Sequence, residues 1–391
     1  MKKLFLLFTL VFILTAKINA QDDLKEYGIK VYTFDKDSND PASMAYLDDI
    51  VSDYNHFFMD EYHSKSMDGN MKKKFVRYLV ENKQLDKIVM EDPYAYGYWV
   101  NQYLQSGDTV LLKNFLENYY SFGRHGKNRP EQIPDYYDFF KFVYKLNKKH
   151  NLNIEVAGID LSITVIKPDF WTLKRFFEDH ELTSIFPKDY KRILKLESKK
   201  KVSHGQAKRW LKKFNKNRIS KENVLKNKLR DDLIHFDNIV SNLSDALKMH
   251  TLRSYFFHPT GYRDSLMHIR YIQQVKPNEV AFSQFGGGHM LLSMGPKVKE
   301  YSNSYEFKSF TSLVNKESEY AGKCLSIHLV YGEKEYSFAS GGYFFSAEEY
   351  NEFKSKTNYQ EVLLDFSDSI GPYSNISEYY QIAIFLNGRG Y

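Results

Sequence analysis

The sequence predicts an α/β fold, with a mixed, mostly parallel central sheet flanked by helices and a helical insertion or lid. Three observations predict it. Short apolar runs of strand length alternate with longer stretches whose apolar residues recur at helical spacing, as strand-helix-strand units do. Several of those runs end in an acid or lead toward a histidine, and sites in such sheets sit at the carboxyl ends of the strands. Between about 169 and 249 the alternation stops, and the chain becomes helical, long and densely charged.

Taken in order, Phe57 to Met59 reads as a strand and is followed by Glu61 to His63. Asn70 to Glu81 reads as a helix, because Phe75, Val76, Leu79 and Val80 recur on one face. Ile88 to Met90 is the next strand; Glu91 ends it and Pro93 stops it. Helices are expected over Tyr94 to Leu104, Val110 to Tyr120 and Asp135 to Asn147, and a strand over Ile154 to Ile159, closing on Asp160. From 169 to 249, Leu225, Leu229, Leu233, Ile239, Leu243 and Leu247 supply a discontinuous apolar stripe, while 208 to 218 is strongly basic. Such a charge run reads first as a solvated helix face. Gly261 to Val275 is expected to be a helix and Glu279 to Phe282 a strand. The glycines at 286 to 288 form a loop leading to His289. Ser326 to Tyr331, Glu361 to Phe366 and Gln381 to Leu386 complete the sheet.

Met1 to Ala20 stands apart from the fold. Lys2 and Lys3 precede the apolar run Leu4 to Leu14, and Ile18 and Ala20 fit the positions before a cleavage point at Gln21. This is the pattern of a secretory signal, so the chain is expected to be exported, to a bacterial periplasm or the extracellular space. Residues 21–391 then form a single domain carrying the helical insertion. No later run approaches about 18 apolar residues, so no integral membrane segment is expected after signal removal. Without its first 20 residues, which hold three lysines and no acid, the chain carries a net charge of +3. That near balance argues against a dedicated nucleic-acid binder. Cys324 is the only cysteine, which excludes an internal disulfide and a zinc site built from several cysteines. It reads as a packed residue at a strand start.

Four segments carry the chemistry: Asp60-Glu61-Tyr62-His63, Met90-Glu91-Asp92-Pro93, Arg263-Asp264 and Gly286-Gly287-Gly288-His289. A buried strand is an unfavourable place for an ionisable group unless that group is paired or used. Two glutamates and two histidines delivered this way suggest one polar site at the ends of a sheet. A strand-end glutamate also pairs with an arginine for structure alone, and Arg263 with Asp264 fits an ion pair fixing a helix.

The ordered set resembles the erythromycin esterase-like proteins and their wider superfamily, which includes Tiki-type peptidases and a haem-iron uptake family. The set is a strand with Glu-x-His, a helix, a strand ending in Glu, a long helical region, Arg-Asp, a strand and a histidine. The resemblance covers roughly Asp53 to Met290, and Trp99 to Asp108 and Asn147 with Val156 to Asp160 add to it. It implies that His63 is the general base, that Glu61 and Glu91 are site acids, that His289 is the second histidine, and that Lys72 is a basic residue on the following helix. The family pattern is Gly-Glu-x-x-His-Gly. Here Asp60 stands for the first glycine, only Tyr62 separates Glu61 from His63, and Ser64 replaces the last glycine.

Neutral His63 is suited to take a proton from water attacking an ester or lactone carbonyl, with Glu61 or Glu91 orienting the imidazole. Arg263 or His289 is suited to stabilise the oxyanion. No Gly-x-Ser-x-Gly elbow supports a serine nucleophile. The expectation is thus a hydrolase of a small-molecule ester or lactone without a cofactor. A divalent metal held by Glu61, His63, Glu91 and His289 is a second reading, as in the peptidase branch. A non-catalytic binding protein, with haem as candidate ligand, is a third.

Overall fold

In the computed structural model of the protein, the residues described are 24–33, 41–61, 66–120, 133–162, 166–199, 202–251, 262–293, 309–332, 347–357 and 361–387. Met1 to Ala20 and His63 lie outside them. The first elements in chain order are β1 (Lys30–Thr33), β2 (His56–Glu61), α1 (Ser66–Lys83), β3 (Lys87–Pro93), α2 (Tyr94–Ser106), α3 (Thr109–Tyr120), α4 (Ile133–His150) and β4 (Glu155–Asp160). Helices α5 (Lys167–Asp179), α6 (Pro187–Glu197), α7 (His204–Ile219), α8 (Glu222–Leu229), α9 (Leu233–Thr251) and α10 (Tyr262–Gln274) follow. The chain continues through β5 (Ala281–Gly286), α11 (Phe310–Lys316), β6 (Cys324–Gly332), α12 (Ala347–Lys356), β7 (Val362–Asp365) and β8 (Ile382–Asn387). The fold is α/β, with mixed, mostly parallel strands and helices packed on them. By contacts the chain divides into two compact units, Met1–Asp86 with Val275–Tyr391, and Lys87–Gln274.

In the first unit the strand order is β1-β7-β8-β6-β2-β5. β7 is antiparallel to both β1 and β8, whereas β8, β6, β2 and β5 run parallel. The parallel strands are largely buried because both faces are covered. On one face Phe75 of α1 stacks on Phe282 of β5. On the other, Phe310 of α11 meets Phe58 of β2 and Phe285 of β5. Cys324, the first residue of β6, is buried in this sheet, and burial pushes its thiol up to about 12. That is a packed thiol and not a nucleophile.

In the second unit β3 and β4 pair in parallel. Helix α2 lies close on β4 because Gly97 has no side chain: a Cβ there would sit 2.6 Å from the carbonyl oxygen of Val156. Asn101, one turn on, fixes the same strand from both sides. Its amide donates to the Val156 carbonyl at 2.9 Å and its oxygen accepts from the Val156 N–H at 2.7 Å. Residues 167–251 are helical almost throughout and share one apolar core, in which Phe170, Phe177, Trp210, Phe214 and Phe236 pack ring on ring.

Some elements differ from the sequence reading. Strand β1 and helices α11 and α12 were not legible, being a short edge strand with no run of apolar residues and helices of only two or three turns. Gly286 closes β5 rather than opening a loop, and Gly287–His289 makes a single 3-10 turn.

Candidate functional site

In the second unit the site begins at the carboxyl end of β3. Met90 pairs with Gly158 and Pro93 with Asp160, and the register shifts between them. Two residues of β3, Glu91 and Asp92, therefore face one of β4. Such a bulge re-aims side chains. Gly158 makes it possible, since a Cβ there would lie 2.2 Å from the Pro93 carbonyl oxygen. Asp92 turns aside and accepts a hydrogen bond from the Tyr119 hydroxyl at 2.7 Å.

Glu91 meets Arg263, the second residue of α10. Nη2 of Arg263 donates to Oε1 of Glu91 at 2.6 Å and to Oδ2 of Asp160 at 2.6 Å, while its Nε donates to Oδ1 of Asp160 at 2.8 Å. The grip on Asp160 is the two-pronged fork that arginine geometry allows and lysine geometry does not. Glu91 and Asp160 are both buried. Burial works against the charge of Arg263, but attraction by Asp160 and Glu91 outweighs it and raises the guanidinium pKa well above its ordinary value. Arg263 was expected as an oxyanion donor or as the partner of Asp264; its guanidinium meets Glu91 and Asp160, and so holds Glu91 in position.

A second polar layer lies behind this cluster. The Asn242 amide donates to the Asp160 carbonyl at 2.7 Å, and the Ser162 hydroxyl is turned to Oδ1 of Asn242 at 3.4 Å. Arg270, two turns after Arg263 on α10, pairs with Asp245 of α9 at 2.7 Å. Asp169, in the first turn of α5, is completely buried. Burial drives its carboxyl up to about 7, against the pull of Ser162 and Arg270.

In the first unit Glu61 and Gly286 are opposite each other, as the last residues of the neighbouring parallel strands β2 and β5. The turn Gly287–His289 follows directly, so Glu61 and His289 arrive at the same sheet edge, both partly exposed. Asp60 points the other way. Its Oδ1 accepts the Leu329 N–H at 2.5 Å, and its Oδ2 is hydrogen-bonded to Nδ1 of His328 on β6. The Tyr380 ring lies 5.4 Å from that imidazole. Lys72 is buried on α1.

The structure thus joins Glu91 directly to Arg263 and brings Glu61 and His289 to one strand end. The sequence reading missed two participants. Asp160 was noted as a strand end but not as the carboxylate that fixes Arg263. His328 sits inside the apolar run Leu325 to Tyr331, where an ionisable residue in a buried strand was the available signal. Among the described residues, no three His, Cys, Asp or Glu side chains gather so as to hold a metal ion, and no helix is long and apolar enough to cross a membrane.

No family model matches the chain, and no curated protein sequence does. Solved structures do. An erythromycin esterase, the histidine variant of EreC in its open conformation, matches with a TM-score of 0.63 at 13% identity, covering 91% of this chain and 97% of that one. A protein from Bacillus cereus matches with a TM-score of 0.63 at 13% identity, over 95% of this chain and 97% of its own. A succinoglycan biosynthesis protein matches with a TM-score of 0.61 at 13% identity, again over 95% and 97%. At this identity the likeness is one of fold.

Proposed function

We propose that this chain, which has an erythromycin esterase-like fold, is an exported hydrolase that cleaves a small-molecule ester or lactone by direct attack of water. His63 is the general base: it takes the proton of the water as the new carbon–oxygen bond forms, and returns it to the departing alkoxide as the acyl bond breaks. Glu61, two residues before it in the chain, orients and charge-balances that histidine, and His289 stabilises the developing oxyanion. Arg263 holds Glu91, a further site acid, in place. The observation that carries this reading is the Arg263 grip on Glu91 and Asp160, at a bulged strand end, in a fold shared with an erythromycin esterase.

The test is hydrolysis of a panel of aryl esters and macrolides by wild type and His63→Ala, each with and without EDTA. Activity that survives EDTA and falls by about 10²-fold or more in the variant supports the reading. Undiminished turnover in His63→Ala sinks it, and loss of turnover on EDTA addition replaces it with a metal-dependent hydrolase.

A further inference from the structure

Charge in this chain is distributed very unevenly. Residues 187–230 hold 17 Lys or Arg against three Asp or Glu, a net +14, within a chain whose total is +6, so the remainder carries −8. A lysine-rich composition alone does not produce this, because elsewhere acids outnumber bases. The excess falls on α6, α7 and α8.

Helix α7 shows how it is displayed. Its apolar face, with Ala207, Trp210, Leu211 and Phe214, is buried in the helical core. Its opposite face exposes Arg209, Lys212, Lys213 and Lys216. The neighbouring α6, tied to α7 by the Asn217 amide donating to Asp189 at 2.9 Å, likewise exposes Lys191 and Lys195. Among the described residues none of these six pairs with a carboxylate. Four cations on one helix face without counter-charges repel one another, a cost that an anionic partner removes.

The same face carries an exposed aliphatic residue. Ile219 follows Lys216 by three positions and Lys212 by seven, which places it on the basic side of α7, and it is 75% exposed. Val224 of α8, the next helix, is also exposed. The aromatic residues of α7 are all buried, so the face offers no platform for stacking bases. Basic side chains with a protruding aliphatic and no exposed aromatic match a lipid interface better than a nucleic acid.

We infer that the outer face of α7, with Arg209, Lys212, Lys213, Lys216 and Ile219, docks this chain onto an anionic lipid bilayer. The lysines and arginine meet lipid phosphates while Ile219 enters the headgroup boundary. This inference stands on charge and exposure within the helical unit and does not depend on the hydrolase reading.

The test is co-sedimentation of the full chain with phosphatidylcholine vesicles, with and without phosphatidylglycerol. Wild type should bind only the anionic vesicles and be released as salt rises toward about 1 M, where screening acts within about 3 Å. Each basic residue at an anionic leaflet tightens binding by about fivefold. Arg209→Gln/Lys212→Gln/Lys213→Gln/Lys216→Gln should therefore weaken it by roughly a few hundredfold. Ile219→Ser should weaken binding by about tenfold, with the salt dependence kept. All five positions are exposed, and an unchanged melting curve verifies that the variants fold. Absence of wild-type binding to anionic vesicles overturns the inference, as does equal binding by the fourfold variant. Tighter binding to an oligonucleotide than to the vesicles at the same ionic strength overturns it in favour of a nucleic acid.

Discussion

Replacing Arg263 by methionine separates the electrostatic role of this residue from its bulk. In wild type one guanidinium satisfies Asp160 through two hydrogen bonds and Glu91 through one, all between 2.6 and 2.8 Å. The carboxylate side chains are 3% and 7% exposed, so water cannot take over from the arginine. Methionine keeps most of the apolar stem and leaves two buried carboxylates facing each other. Removing one partner of a buried pair costs about 3–5 kcal/mol. For a unit of this size each kcal/mol lowers the melting temperature by about 2–4 °C, which puts the expected fall at roughly 6–20 °C. Glu91→Gln is the contrast, because the fork to Asp160 survives and its stability cost should stay near 1 kcal/mol. Thermal unfolding followed by circular dichroism measures both. An Arg263→Met protein within about 1 kcal/mol of wild type would refute the argument that this cluster is held by the arginine.

Four more outcomes follow from single positions. Gly158→Ala sets a Cβ against the Pro93 carbonyl at 2.2 Å and should cost about 1–3 kcal/mol in urea unfolding. Gly205→Ala, with nothing within 4 Å, should be neutral or stabilise by up to about 1 kcal/mol, and equal effects at the two sites would refute the packing account. Asp169, raised from 3.8 to about 7 by burial, contributes stability that is complete below its unfolded pKa and is lost as pH rises through about 7. That contribution is on the order of 4 kcal/mol; Asp169→Asn should flatten the pH profile of unfolding between 5 and 8, and an unchanged profile would count against it. Cys324 should resist a thiol reagent such as DTNB in the native protein and react fully after unfolding, since its thiol is pushed up to about 12; rapid native labelling would contradict its burial.

The parts of the fold that were legible are those where one strand or helix carries its own signal. Phe57 to Met59 and Val89-Met90 are fully apolar because their strands are covered on both faces, and Phe75, Val76 and Leu79 mark the inner side of α1. The strand ends were legible for the complementary reason, that Glu91 has no business after an apolar run unless something answers its charge. What answers it was not legible. Asp160 lies 69 positions after Glu91, and Arg263 a further 103. Pairing of this kind is set by how the strands and helices are stacked, which the spacing along the chain does not show. The bulge was hidden too, because it depends on Gly158 of the neighbouring strand giving way to the Pro93 carbonyl.

Asp60 and Glu61 show the same limit in the other unit. Along the chain they are two adjacent acids before a histidine, and Glu61 stands out as the site residue because the spacing to His63 is counted from it. Strand geometry separates them, since neighbours on β2 point to opposite faces. Asp60 is bound to the Leu329 N–H and to His328, and both members of that hydrogen-bonded pair are almost completely buried. A buried carboxylate–imidazole pair recovers little net stability, because desolvation of both groups offsets most of their attraction. An apolar pair of similar volume would serve the fold of β2 and β6 at least as well. What the pair adds is directional. It fixes the end of β2 against β6 at Asp60, the residue next to Glu61, so that Glu61 leaves the strand from an anchored position.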